Sequence, residues 1–422
     1  MGRKIKYVAV CLSFLMLAPF STATFGARGP KAKNLRAGAV YVLTNQPNNT
    51  VAAFRRNAKG VLTPAGQFPT GGAADPVPQG TDPATDPLAS QGSLIISHGN
   101  RFLIAVNAGS NQISVLKIKK NELQLVDVVN SGGIRPISLA LHEDLLYVLN
   151  EGGIGHLGTV IRPALGVLAP PNITGFTVEE DGTLTPLPGS TQPLIGGVAA
   201  DPAQIGFSHD GELLVVTEKD GNRLNIYTID DNGLQSAPIN NPSNGMTPFG
   251  FAFNNADTLV VSEAFGGAPS QSAVSSYTVS DSGLPHSLTV AARPMPWSPD
   301  IIDPVSVISG SVPNSQTASC WVVITNNGKF GFVSNTASGT ISSYRINAEN
   351  GSLTLLNPVA ASMGMGSAPI DMTLSVNSRF LFVLLGGTQS VASFRISGGN
   401  GSLTPVDTAS GLPFGAQGIA AK

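Results

Sequence analysis

One unit recurs seven times along this chain, and that recurrence constrains the fold more than any other feature. A short apolar run ends in Asn or Glu, and nine residues further on an aromatic residue or Leu begins a second run. Asn45 is spaced this way from Phe54, Asn107 from Leu116, Glu218 from Tyr227 and Asn335 from Tyr344. Leu385 and Phe394 keep the spacing without the polar residue, and Asn150 to Phe176 and Glu263 to Tyr277 keep the unit with longer inserts. Short runs of Val, Ile, Leu and Phe bounded by Gly, Asn and Asp are strand signals. A period of roughly 45 to 70 residues made only of strands and turns predicts an all-β, seven-bladed β-propeller.

Each unit reads as four strands, A to D. In the fourth, Gln204–Ser208 is strand A, Leu213–Glu218 is B and Leu224–Ile229 is C, with turns at His209-Asp210-Gly211 and Asp230-Asp231-Asn232-Gly233. A turn phrase recurs before strand D as Gly60-Val61-Leu62-Thr63, Gly182-Thr183-Leu184-Thr185, Gly351-Ser352-Leu353-Thr354 and Gly401-Ser402-Leu403-Thr404. The first unit starts at its B strand, Ala39–Thr44, with no A strand ahead of it. The tail from Pro413 to Ala420 reads like the A strands opening at Pro136, Pro248 and Pro369. The last strand is therefore expected to complete blade 1 and close the ring, removing an exposed sheet edge.

Charged residues make up 12% of the chain and the net charge is −2. With no basic run, nucleic acid is not an expected partner. Arg3, Lys4 and Lys6 precede an apolar stretch over 7–20 that is too short to span a bilayer, and Ser21-Thr22-Ala23 follows it. Residues 1–23 are expected to be a signal peptide (cleavage up to 27), 24–38 a linker and 39–422 a single propeller, secreted or periplasmic with no transmembrane anchor. Beyond the leader Cys320 stands alone, in an apolar run that reads as strand A of blade 6, so no internal disulfide is expected.

In a propeller the B–C and D–A connections share one face, and the A–B and C–D turns share the other. His98, His142 and His209 fall in A–B turns and His286 in the C–D region of blade 5, where solvated turn residues are expected. His156 falls on the other face, in a long B–C insert over 151–171 that also carries Arg162. The residues ending the B strands, Asn45, Asn107, Asn150, Glu218, Glu263 and Asn335, are expected to ring that face. Glu218 and Glu263 belong to adjacent blades, so two carboxylates on one rim would raise each other's pKa as acid/base chemistry needs. Gln91, Arg135, Gln204 and Gln417 sit at the mouth of A strands, and Arg135 is the candidate anion anchor. The stretches 75–91, with Asp75, Asp82 and Asp86, and 293–317, with Arg293, Asp300 and Asp303, read as interblade loops adding to this face.

The chain resembles the lactonase-type seven-bladed propellers, the family of bacterial 6-phosphogluconolactonase and fungal carboxymuconate cyclase. The phrases that carry the resemblance are residues 207–216 (FSHDGELLVV), 86–94 (DPLASQGSL), Ser131-Gly132-Gly133 before Pro136, and Pro248-Phe249-Gly250-Phe251. It spans residues 39 to 420. The family's Pro-His step at the start of the blade 4 A strand reads Pro202-Ala203 here, so 6-phosphogluconolactonase activity itself is not expected.

The resemblance implies a lactonase- or cycloisomerase-like enzyme acting on a small anionic lactone or carboxylate. Glu218, Glu263 and His156 are the candidate catalytic residues. Arg135, Arg162, Gln91, Gln204, Asn107, Asn150 and Asn335 are the candidate substrate-binding residues. A non-catalytic propeller that binds a ligand or a protein is the alternative. In a third reading, Asn and Glu oxygens on one rim suit calcium; no other cofactor is expected.

Overall fold

The protein is described here from a computed structural model covering residues 36–74, 85–120, 122–153, 169–279 and 305–422. Seven antiparallel sheets are present. The innermost strands are Ile419–Ala421 for blade 1, then Leu94–Ile96, Pro136–His142, Pro202–Phe207, Pro248–Phe253, Ser319–Ile324 and Pro369–Leu374 for blades 2 to 7. Each neighbours the next, and the last neighbours the first, so the A strands form a closed ring around a central channel. The predicted architecture is the observed one.

Closure is made by the tail. Val40, Tyr41 and Val42 pair with Ala421, Ala420 and Ile419. The backbone of Ala39 exchanges hydrogen bonds with that of Lys422, and Gln417 N–H donates to the Leu43 carbonyl. The paired segment is shorter than the sequence suggests, because residues 413–418 approach it as a loop.

The recurring turn phrase proves to be a latch between blades. Gly60 has φ +94° and Gly182 φ +99°, a region glycine enters without steric cost. A Cβ on Gly182 would lie 2.5 Å from the Phe102 ring of blade 2; Gly60 and Gly401 sit equally close to Phe380 and Phe330 of their preceding blades. The Leu of the phrase is bonded to the same neighbour: Leu184 N–H donates to Asp127 Oδ2 (2.9 Å) and Leu62 N–H to Asp407 Oδ2 (2.8 Å).

Two expectations are corrected. Phe54 pairs with Val40, so the residue that matches the other B-strand ends in register is Thr44, and Asn45 lies one position beyond it with φ +52°. Strand Val305–Pro313 is strand D of blade 5, following strand C at Ala273–Val279. Residues 280–304 thus join C to D rather than two blades; Arg293, Asp300, Asp303 and His286 lie among them, outside the described residues. The proposed leader, Asp75, Asp82, His156 and Arg162 also lie outside.

Candidate functional site: the central channel

The B-strand ends are buried clamps rather than an open rim. Each grips the connection that enters its own blade. Asn107 accepts from Thr70 Oγ1 (2.7 Å) and Asn49 Nδ2 (3.0 Å) and donates to Ser114 Oγ (2.6 Å). Asn150 donates to the Ser131 carbonyl (3.2 Å) and Asn172 Oδ1 (2.9 Å). Asn335 accepts from Ser319 Oγ (2.6 Å) and Asn314 Nδ2 (3.1 Å) and donates to Thr340 and Ser342.

Glu218 and Glu263 use the same geometry. Glu218 Oε1 accepts from Gly196 N–H (3.1 Å) and Asn225 Nδ2 (2.5 Å), and Oε2 lies 3.3 Å from Arg223 Nε. Glu263 accepts from Gly245 N–H (2.8 Å), Ser275 and Ser311 Oγ (2.7 Å). Both side chains are inaccessible to solvent, and neither borders the cavity described below. The two carboxylates expected side by side on a rim are therefore each enclosed in a separate polar cage. Burial pushes the Glu263 carboxyl above its ordinary range against the pull of its three donors.

The channel is blocked on the B–C/D–A side by the chain itself. Residues 85–92, entering blade 2, cross it and bond to inner strands around the ring. Trp321 Nε1 (2.9 Å) and Gln417 Nε2 (3.0 Å) donate to the Ser90 carbonyl, and Ser90 Oγ donates to the Ile137 carbonyl (2.8 Å). Leu88 N–H donates to Gln417 Oε1 (2.7 Å), and Gln91 N–H to the Ala203 carbonyl (3.1 Å). Lys219, paired with Asp201 at 3.1 Å and 5.2 Å from the Phe249 ring centre, donates to the Ala89 carbonyl (3.0 Å).

Three of the residues placed at this mouth serve the plug or the ring. The Gln91 amide imitates a strand peptide: Nε2 donates to the Val322 carbonyl (2.8 Å) and Oε1 accepts from Val322 N–H (3.0 Å). Gln204 does the same with Phe251 of the next blade, at 3.0 and 2.7 Å. The Arg135 guanidinium is bound to the Glu151 carboxylate and donates to the Pro87 carbonyl (2.7 Å), so the expected anion anchor is already neutralised.

On the far side of the plug lies a cavity of about 510 Å³ bordered by the inner strands. Gln91, Gln204 and Asp371 border its inner part, and His98, His142 and His209 of blades 2, 3 and 4 stand at its open end in the A–B turns. The described cavity thus opens on the face opposite the one the sequence favours. His142 packs on Phe207, with ring centres 5.9 Å apart, while His98 and His209 are exposed.

Asp371 is the outlying group here. Ile370 pairs with Leu384 and Met372 with Val383, so Asp371 is the extra residue of a β-bulge. Its φ is +49°, in the left-handed region that Asp enters more readily than most residues. The side chain accepts from Met372 N–H (2.8 Å) and Ile419 N–H of the closing strand (3.2 Å). Burial, reinforced by the nearby Asp86 charge, pushes its carboxyl up to about 8, so it holds its proton at neutral pH. A raised carboxyl and a cavity wall coincide at this residue, a combination expected of a functional group.

Sequence reasoning passed over Asp371 because only the polar residue in an otherwise apolar A-strand opening, Pro369-Ile370-Asp371-Met372, marks it. Among the described residues no three His, Cys, Asp or Glu side chains converge as metal ligands; of the oxygens considered for calcium, Asn107 and Asn335 Oδ1, Glu218 Oε1 and both Glu263 oxygens accept from protein donors, whereas the buried Asn45 and Asn150 Oδ1 atoms have no hydrogen-bond donor. Cys320 is buried and its thiol is pushed up to about 12 by desolvation. No helix among the described residues is long and apolar enough to cross a membrane.

Comparison with known proteins agrees with the fold. Residues 300–415, from the end of blade 5 through blade 7, match the family described as Lactonase, 7-bladed beta-propeller. Among solved structures, the chain is similar to a candidate 6-phosphogluconolactonase from Bacteroides uniformis, at 18% identity and TM-score 0.60 over 91% of this chain and 99% of that one. It is also similar to the Pseudomonas aeruginosa periplasmic gluconolactonase PpgL, at 13% identity and TM-score 0.61 over 91% and 98%. A Lactobacillus plantarum protein aligns at 15% identity and TM-score 0.64 over 91% and 99%. No curated protein matches.

Proposed function

With its last blades matching the lactonase propellers, the chain is read as a lactonase-type seven-bladed propeller, and on that premise we propose that it hydrolyses a small lactone in the central cavity. Asp371 is the proposed general acid/base. The observation that carries the reading is the place of Asp371 at the cavity wall, where burial pushes its carboxyl up to about 8. A protonated acid donates to the ester oxygen as that bond breaks. The oxygen of water bonds to the carbonyl carbon, the ring C–O bond cleaves as its oxygen takes the Asp371 proton, and the proton shed by water returns to the Asp371 carboxylate, leaving the open hydroxy acid. Acid catalysis of this kind contributes typically 10²–10⁴-fold.

No Lys or Arg borders the cavity among the described residues, so an uncharged lactone fits its wall better than the anionic substrate first considered. A lactonase acting outside the cytoplasm fits the leader-like N-terminus. Turnover of an uncharged sugar lactone that falls at least a hundredfold in Asp371→Asn supports the assignment; unchanged turnover removes it. A second reading, ligand binding without turnover, is favoured by the self-satisfied amides of Gln91 and Gln204. Calorimetric binding of a lactone that is never hydrolysed would establish that reading instead.

A further inference from the structure

The described residues of the two faces of the propeller differ in charge. Among the described residues the A–B and C–D connections lie at one end of the blades, and the B–C and D–A connections at the other. The first face bears exposed charges of both signs, among them Lys59, Glu122, Glu143, Asp181, Glu212 and Lys329. The described residues of the second carry few; Asp75, Asp82, His156 and Arg162, read onto this face in the sequence, lie outside them. Among its described residues, Arg135 is paired with Glu151 and Lys219 with Asp201, both pairs largely out of solvent. Asp86 is half-buried, and Asp220 is the one charged residue fully exposed there.

The same face presents large apolar side chains to solvent. Met365 is 91% exposed, and Met246 and Val198 are exposed by half or more. Phe414 and Ile195 are exposed as well. These five occupy four different D–A connections, spread around the plugged end of the channel. Depletion of charge with enrichment in Met and aromatic residues is the composition of an interface core, not of an average surface.

We propose that this face docks against the same face of a second copy of the chain, giving a two-fold dimer with the charged faces outward. The charge pattern favours this occupant. A two-fold axis sets a patch against itself, so any net charge on it meets its like; an uncharged patch escapes that repulsion. An anionic membrane or nucleic acid would require Lys or Arg, and the described part of the face has none unpaired. The paired Arg135 and Lys219 fit the same reading, since their charges are quenched within the subunit.

The test is the mass of the full chain in solution by sedimentation or light scattering across about 1 to 100 µM, with thermal unfolding as a folding control. Wild type is expected as a dimer. Met246→Glu with Met365→Glu is expected to weaken the dimer at least tenfold while the unfolding temperature of the monomer is kept. Val376→Glu, at a 57% exposed site in the A–B turn of blade 7, is expected to leave the dimer intact. A wild type that stays monomeric throughout, or a dimer indifferent to the paired substitution, overturns the proposal. So does a monomer that co-sediments with phosphatidylcholine vesicles, which would assign the face to a lipid surface.

Discussion

Replacing Asp371 by Asn separates burial of a charge from everything else at that position. The ordinary aspartate value is 3.8 and the folded protein holds Asp371 near 8, a gap of about four units. A carboxyl raised on folding contributes fully below pH 4. That contribution is lost steadily as pH rises and is exhausted above pH 8. At about 1.4 kcal/mol per unit, the whole span is at most about 6 kcal/mol. This is a large part of the 5–15 kcal/mol that separates a typical domain from its unfolded chain.

Asn removes the titration but brings a fault of its own. Both Asp371 oxygens accept backbone N–H groups, from Met372 and Ile419, and the Asn Nδ2 cannot accept. One donor is left unpaired, at a cost of about 1–3 kcal/mol. The two stability curves must therefore cross. Denaturant midpoints measured from pH 4.5 to 9 are expected to show the variant weaker in acid and stronger above pH 8. Parallel curves would mean that Asp371 carries no displaced proton, and the general-acid role would fall with it.

Deleting Ile419–Lys422 opens the ring. It removes the buried Ile419, Ala420 and Ala421 and the pairing with residues 39–42, a loss on the order of 5 kcal/mol or more from burial and lost ladder bonds, so a fall of at least 10 °C in melting temperature is expected. Glu218→Gln and Glu263→Gln each place an amide N–H against donors that now meet an oxygen; about 1–3 kcal/mol of stability should be lost while lactone turnover per folded molecule is unchanged, as enzyme assays beside denaturation would show. Gly182→Ala forces a methyl group into the Phe102 ring at positive φ, and a loss of about 2 kcal/mol or more is expected by urea unfolding, with Thr183→Ala as the mild control.

The ring and its closure were legible because strand and turn chemistry repeat locally: apolar runs, positive-φ glycines and a tail that matches the other A strands. The site was less so. Polar residues that recur at one register position looked like a functional rim, yet Asn107, Asn150 and Asn335 recur because every blade must satisfy the same buried connection. Glu218 and Glu263 answer that demand with an acceptor-only group where the facing partners are donors. Arg135 seemed available because Glu151 and the Pro87 carbonyl meet it only after the chain folds. Asp371 had no repeat to flag it, and its raised carboxyl comes from burial in the assembled ring, reinforced by Asp86 and opposed by the Ile419 N–H, both remote in sequence.

The segment laid across the axis has a kinetic consequence. A tunnel would let reactant enter at one end and leave as product at the other. Among the described residues the passage is closed at one end, so on the proposed reading a lactone would enter, and its hydroxy acid leave, past His98, His142 and His209. Spent acid lingering in that vestibule excludes the next molecule, and inhibition by product is therefore expected to be competitive.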